Sequence, residues 1–197
     1  MIKEYIVAEF HNVLTPNECN HLIEFGSKNL KALTVIGDAE KDGVKYRSGD
    51  GSWVKEPILD ENNIDLNQKV KEIVSNITNL PIENQEAIHV VHYGIGGEYK
   101  EHHDFFHVDT KEYPVHITRG GQRVYSLLFY LNDDFEGGET SFVKKKISIK
   151  PKKGKLLYWS NLKKDGSLDY DSMHAGLPVI TGEKWIAIVW VRESKFS

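Results

Sequence analysis

The stretch Tyr93-Gly94-Ile95-Gly96-Gly97-Glu98-Tyr99-Lys100-Glu101-His102-His103-Asp104 runs from a strand-like segment through a glycine-rich turn. It ends with a histidine and an aspartate two residues apart. On an extended strand, positions i and i+2 project to one face, so His102 and Asp104 can converge on a single atom. Two ligands make a weak metal site, and a third must come from elsewhere. The chain has nine histidines. His89 and His92 are three apart, which sends them to opposite faces of a strand. His174 is set apart by opening a late strand directly after the polar loop 165–172. Two histidines and a carboxylate are the ligand set of non-haem Fe(II) oxygenases, leaving positions open for co-substrate and dioxygen. The same set also builds catalytic zinc sites. The chain has no His-Glu-x-x-His helix. On spacing alone iron, zinc and a chance His-x-Asp pair all stand.

The elements that must position these residues are partly legible. Residues 5–10 read as a strand. Thr15 and Glu18 form a capping-box pair with Pro16 at the first helical position, and Cys19, Leu22 and Ile23 give that helix an apolar face. Gly26 reads as its stop. Residues 33–36 read as a strand, 37–43 as a polar turn and 46–53 as a loop carrying Trp53. A second helix spans 64–78, with Leu66, Val70, Ile73, Val74 and Ile77 at helical spacing, and Pro81 bars its continuation. From residue 86 the pattern changes to short strands at 86–93, 124–131, 140–143, 147–149, 156–159, 174–180 and 185–191. Gly137-Gly138, Lys153-Gly154 and Thr181-Gly182 punctuate them. Helices followed by many short strands predict a mainly β sandwich or barrel with flanking helices packed outside.

With 197 residues, 40% of them hydrophobic, the chain suits one domain with a substantial core. A net charge of −4 gives no general affinity for nucleic acid or an anionic membrane. The single cysteine, Cys19, excludes an intramolecular disulfide. No signal-peptide pattern opens the chain and no apolar run approaches the ~20 residues that span a bilayer, so a cytoplasmic location is expected. The lysines at 144–146, 150, 152, 153 and 155 lack the interleaved aromatics of a nucleic-acid platform and read as a solvated strand edge and turn.

Read together, the flanking residues resemble the catalytic domain of the prolyl 4-hydroxylases, within the 2-oxoglutarate- and Fe(II)-dependent oxygenases. The likeness rests on residues 86–106, Gly120-Gly121-Gln122-Arg123, Tyr130-Leu131-Asn132, Glu136-Gly137-Gly138-Glu139-Thr140, Pro151-Lys152-Lys153-Gly154 and 174–190. Upstream, 14–23 and Arg47-Ser48 also fit. The resemblance implies a double-stranded β-helix (jelly-roll) core over about 84–194, with the helices of about 15–80 packed on it, the whole of 1–197 forming one domain. It implies His102, Asp104 and His174 as iron ligands and Lys184 as the cation gripping the distal carboxylate of 2-oxoglutarate. Thr140, Tyr93 and, as a weaker candidate, Tyr130 complete the co-substrate pocket. The implied reaction is a dioxygenase one of the procollagen-proline 4-dioxygenase type: O2 is consumed, 2-oxoglutarate is decarboxylated to succinate, and a C–H bond is hydroxylated. Ascorbate is the implied reductant.

On the substrate side, the resemblance places Glu86, Tyr99, Arg123 and Trp190 in a peptide groove. Tyr99 and Trp190 would stack on a flat apolar ring and Arg123 would hold a backbone carbonyl. Two departures border that groove: Arg192 stands where the peptide-hydroxylating members carry a histidine, and the segment between Asp104 and Gly120 is longer. The first expectation is therefore a protein or peptide substrate containing proline, with no nucleic acid or membrane partner. An oxygenase acting on a free amino acid or a nucleic acid, and a non-catalytic jelly-roll binding module, are the alternatives. The segment 105–119 is placed to act as a lid.

Overall fold

The protein is described by a computed structural model that covers residues 7–33, 40–41 and 44–196. In chain order the strands are β1 (Val7–Phe10), β2 (Lys31–Ala32), β3 (Glu40–Lys41), β4 (Val44–Lys45), β5 (Asp50–Val54), β6 (Ile88–Tyr93), β7 (Tyr99–His102) and β8 (Arg123–Tyr130). They continue as β9 (Glu136–Gly137), β10 (Thr140–Phe142), β11 (Ile147–Ile149), β12 (Leu156–Ser160), β13 (His174–Gly176), β14 (Val179–Thr181) and β15 (Lys184–Arg192). Among the described residues three α-helices accompany them: α1 (Pro16–Ser27), α2 (Leu66–Thr78) and α3 (Tyr113–Ile117).

A large antiparallel sheet has the order β1-β12-β8-β15-β6-β5-β2, and a smaller one the order β11-β10-β13-β7. Strand β15 shows why the pair encloses a core. Every residue from Lys184 to Arg192 is buried, yet the side chains divide by parity. Trp185, Ala187, Val189 and Val191 join one apolar cluster with Leu22 of α1 and Leu66, Val70 and Val74 of α2. Ile186, Ile188 and Trp190 join a second, with Phe142 and Ile149 from the smaller sheet. The two-residue period of a strand thus puts one face under the helices and the other inside the jelly roll. At roughly 1.5–3 kcal/mol for each large side chain fully buried, these two faces supply most of the drive to fold. Among the described residues no helix is long and apolar enough to cross a membrane.

Helix α1 begins as its sequence dictates: the Thr15 side chain caps the Glu18 amide, Glu18 reaches back to the Thr15 amide at 2.8 Å, and Pro16 takes the first turn. It ends at Ser27, one residue past the expected stop at Gly26. That residue lies inside the helix against β6, where a Cβ would come within 2.5 Å of Val90 Cγ1. Glycine is there to let helix and sheet approach. Helix α2 is capped by Asp65 and closed by Asn79 in the left-handed conformation, two residues before Pro81.

Three further expectations are corrected. Residues 50–54 form strand β5, paired along β6 with Trp53 opposite His89, so Trp53 sits on a sheet. The expected strand over 174–180 is two strands, split at Leu177-Pro178, because Pro cannot extend the β13 ladder. One lysine of the run expected to be solvated, Lys155, is buried with Glu9, whereas Lys144, Lys146, Lys150 and Lys152 are exposed as expected and Lys145 is half-buried beside Asp169. The expected strand at 33–36 and turn at 37–43 fall largely outside the described residues.

Candidate active site

Strands β7 and β13 run antiparallel with His102 directly opposite His174. Facing positions on neighbouring strands bring side chains within reach, so this register joins the two imidazoles although 72 positions separate them in sequence. Asp104 lies just beyond the end of β7, in a bend, so it meets His102 through the chain's turn and not through strand periodicity. Its Oδ1 is 3.7 Å from His102 Nε2 and its Oδ2 is 3.8 Å from His174 Nε2. One ligand atom from each of the three lies within 4.8 Å of the others.

The protonation states suit a cation. His102 Nδ1–H donates to the Lys100 carbonyl at 2.7 Å and His174 Nδ1–H to that of Ser172 at 2.9 Å. Both tautomers are thereby fixed with the Nε2 lone pair turned to the centre. Burial, with the neighbouring His174 as the next cause, holds His102 well below the ordinary histidine range, so it is neutral. Burial pushes Asp104 up, but His174, His102 and Arg123, with a hydrogen bond from Ser126, outweigh it and hold the carboxyl below its usual value. Neutral imidazoles and an ionised carboxylate are what a divalent metal requires, and the set fits Fe(II). Tyr99 stacks on His102 at 3.5 Å between ring centroids, and Trp159 meets His174 edge-on at 4.7 Å.

Ser126 sharpens the site. On β8 its hydroxyl donates to Asp104 Oδ2 at 2.6 Å and receives the Asn161 amide at 2.9 Å. Ser126→Ala is expected to weaken iron binding by about 10–100-fold, the usual effect of losing a group that orients a metal ligand. A metal titration of wild type and variant reads it, and equal affinities would mean that the hydroxyl does not set the carboxylate.

Deeper in the jelly roll, Lys184 opens β15 opposite Tyr93 and is 2% exposed. Its Nζ donates to the Gly138 carbonyl at 2.7 Å, with the rings of Tyr93 and Tyr130 at 5.6 and 5.9 Å. Burial pushes the ammonium down to about 8, and Glu139 opposes this only in part. Tyr130 donates its hydroxyl to Thr140 Oγ1 at 2.7 Å. Arg47 donates to the Tyr93 hydroxyl at 3.3 Å. The expected co-substrate residues Tyr93, Thr140, Tyr130 and Lys184 are thus brought to one end of the interior. A buried cation bonded only to a carbonyl, among the described residues, is a seat for an anion.

Three of the four expected substrate residues line one cleft. A cleft of about 1120 Å³ is lined by Tyr99, His102, Asp104, Arg123 and Trp190, among others. Glu86 sits behind it, where Arg123 donates in bidentate fashion at 2.7 and 2.8 Å and Arg192 at 3.0 Å. Burial pushes the Glu86 carboxyl up, but these two guanidinium groups overcome it and keep the group ionised. The Arg123 guanidinium also covers the Trp190 ring at 3.9 Å. Most of its donors are therefore committed within the protein.

Several contributors gave no signal in the sequence. Ser126 sits in an apolar strand, where a serine reads as filler. Trp53 stacks flat on His89, with centroids 4.0 Å apart, and both line the cleft. Only the β5–β6 register makes them neighbours. Gln122, whose amide bonds both the N–H and C=O of Phe106, was visible as part of a motif but not as a brace.

Comparison with known proteins gives a consistent set of relatives. Residues 88–192 match the model of the 2OG-Fe(II) oxygenase superfamily. Prolyl 4-hydroxylase 1 of Arabidopsis thaliana is 36% identical over 207 residues, covering 97% of this chain and 70% of that one. Prolyl 4-hydroxylase subunit alpha-3 of Homo sapiens is 30% identical over 190 residues, 96% of this chain and 34% of that one. Among solved structures, the viral collagen prolyl hydroxylase of Paramecium Bursaria Chlorella virus-1, in a 2OG complex, superposes with a TM-score of 0.72 at 27% identity. That match covers 94% of this chain and 95% of the viral one.

Proposed function

The chain belongs to the 2OG-Fe(II) oxygenase superfamily and, within it, to the prolyl 4-hydroxylases, and on that premise we propose that it hydroxylates proline within a peptide or protein, coupled to decarboxylation of 2-oxoglutarate to succinate. The observation that carries this reading is the joint placement of two features. His102, Asp104 and His174 lie within reach of one metal ion, with His102 and Asp104 lining an open, aromatic-walled cleft, and a buried ammonium, Lys184, is available in the interior.

Iron and 2-oxoglutarate, when bound with O2, supply the oxidant for an unactivated C–H bond. The protein's part is to bind, orient and keep water out. His102, Asp104 and His174 would hold the metal from one side and leave the rest of its coordination open. Lys184 would pair with the distal carboxylate of 2-oxoglutarate, with the Thr140 hydroxyl beside it and Tyr93 and Tyr130 walling the pocket. Val91, Leu128, Ile186 and Ile188 make the surrounding interior apolar. A charge pair formed there is far stronger than in water. On the cleft side, Tyr99 and Trp190 contribute aromatic wall, with Arg47 over the Tyr99 ring and Arg123 over that of Trp190. Glu86 and Arg123 hold Trp190 in place, and Arg123 Nη1, whose bond to the Asp104 carbonyl is long at 3.4 Å, is the donor that would turn to a peptide carbonyl.

The rivals find less support. Three lysines of the 144–155 run, Lys145, Lys152 and Lys155, are each paired with a carboxylate, which reduces the positive charge that stretch could offer a nucleic acid. A non-catalytic binding module has no physical need for a His-Asp-His metal triad and a buried ammonium together.

The test is a succinate assay with Fe(II), 2-oxoglutarate and ascorbate on a panel of proline-containing peptides, with mass spectrometry of the products. Succinate formation stoichiometric with a single oxygen added to proline is expected. Hydroxylation confined to other residues would refute the proline assignment, and no turnover with no 2-oxoglutarate binding would refute the enzyme.

Lys184 also predicts a pH dependence. In the free protein its ammonium is present below about 8 and is lost above it. Since the charged form binds the carboxylate, KM for 2-oxoglutarate is expected to be flat from pH 6.5 to 7.5 and to climb as pH rises past 8, approaching about tenfold per unit. A flat KM through pH 9 would remove Lys184 from the carboxylate site.

A further inference from the structure

We propose that Arg192 is a positioning residue for peptide, latching the segment 105–121 as a fixed wall of the cleft, a role that rests on the cleft being the peptide site. The segment supplies Phe106, His107, Thr110 and His116 to the cleft lining. It cannot hold itself in place. Its one helix, α3, is five residues long, buries none of them and has no side-chain cap. Isolated helices of this length are unstable in water.

The anchorage comes from behind. Arg192 ends β15 and is 2% exposed. Its Nη2 donates to the carbonyls of His116 and Arg119, at the C-terminal end of α3, where carbonyls lack helical partners. Its Nη1 donates to Glu86 at 3.0 Å, and its guanidinium lies over the Phe106 ring at 4.7 Å. The next residues extend the contact. The Ser194 N–H donates to the Gly120 carbonyl at 2.9 Å and the Glu193 N–H to that of Gln122 at 3.0 Å. The Glu193 carboxylate accepts the Gln122 N–H at 2.7 Å. Gly120 and Gly121 have φ of +80° and +78°, and a Cβ on Gly121 would come within 2.3 Å of Glu193 Oε2. The glycine pair lets the segment press against residues 192–194.

One guanidinium thus joins the Glu86–Arg123–Trp190 group on the cleft floor to the segment that forms its wall. Arg192 does not line the cleft, so it acts through the segment. A planar fork that reaches two carbonyls and a carboxylate has no equivalent in the point charge of lysine or the shorter ring of histidine.

Two variants test this: Arg192→Lys, and Glu193→Ala at an exposed position that leaves the Glu86 network intact. Hydrogen exchange in substrate-free protein is expected to speed up across 107–119 in both. KM for a proline peptide is expected to rise about tenfold in Arg192→Lys, as misplaced positioning groups cost, with KM for 2-oxoglutarate unchanged. Exchange over 107–119 equal to wild type would overturn the latch, and so would a rise in KM for 2-oxoglutarate in step with that for peptide. If wild type turns over no proline peptide, the functional assignment fails instead, while the exchange measurement, made without substrate, still decides whether Arg192 holds the segment.

Discussion

His174→Ala is expected to lower kcat/KM by at least about a thousandfold, some 4 kcal/mol of transition-state stabilisation. The ring is 4% exposed, its tautomer is fixed by the Ser172 carbonyl, and its Nε2 faces the Asp104 carboxylate. Removing it leaves two ligands, and two do not hold Fe(II) in a defined geometry. The variant should also show a loss of metal affinity in titrations without any substrate. That separates a ligand from a residue that merely packs against Trp159. Near-normal turnover would mean that the third ligand lies elsewhere.

The second large effect concerns Lys184→Met. A buried ammonium facing a substrate carboxylate is a desolvated charge pair, and deleting one partner of such a pair typically costs about 2–5 kcal/mol. KM for 2-oxoglutarate should therefore rise by about two to three orders of magnitude, with KM for peptide little changed. The same substitution should leave the unliganded protein no less stable. Its Tm is expected to hold or rise, because the wild-type ammonium is desolvated with only the Gly138 carbonyl bonded to it, and methionine of similar volume has no such penalty. Lost co-substrate binding without lost stability is the signature of a site residue. A fall in Tm with unchanged KM would identify Lys184 as structural.

What could be read from the residues alone was local. Thr15, Pro16 and Glu18 specify the start of α1, and the spacing of Leu66, Val70 and Val74 specifies α2, because capping and helical periodicity act over one or two turns. The apolar run of β15 and the turn glycines near 137, 154 and 182 gave a mainly β core for the same reason. The identities of His102, Asp104, His174 and Lys184 were visible as residues matching a family pattern. Their chemistry followed from that resemblance, since spacing alone left iron, zinc and chance open.

The tertiary structure decided everything that depends on which strands become neighbours. The β7–β13 register sets His102 opposite His174, and the β8 position of Ser126 places a hydroxyl on Asp104. No local rule contains either, because register is fixed by the whole sheet and by both of its covered faces. Gly26 was placed within one residue of the end of α1, but its packing role, the approach of α1 to Val90, was not legible because that partner lies 64 residues away. Trp53 was misread as a loop residue because the β6 strand that pairs with it comes after an intervening helix. The state of Lys184 belongs here too: its position in the sequence shows a lysine entering an apolar strand, and only the tertiary structure shows it buried, with its ammonium pushed down to about 8 by desolvation.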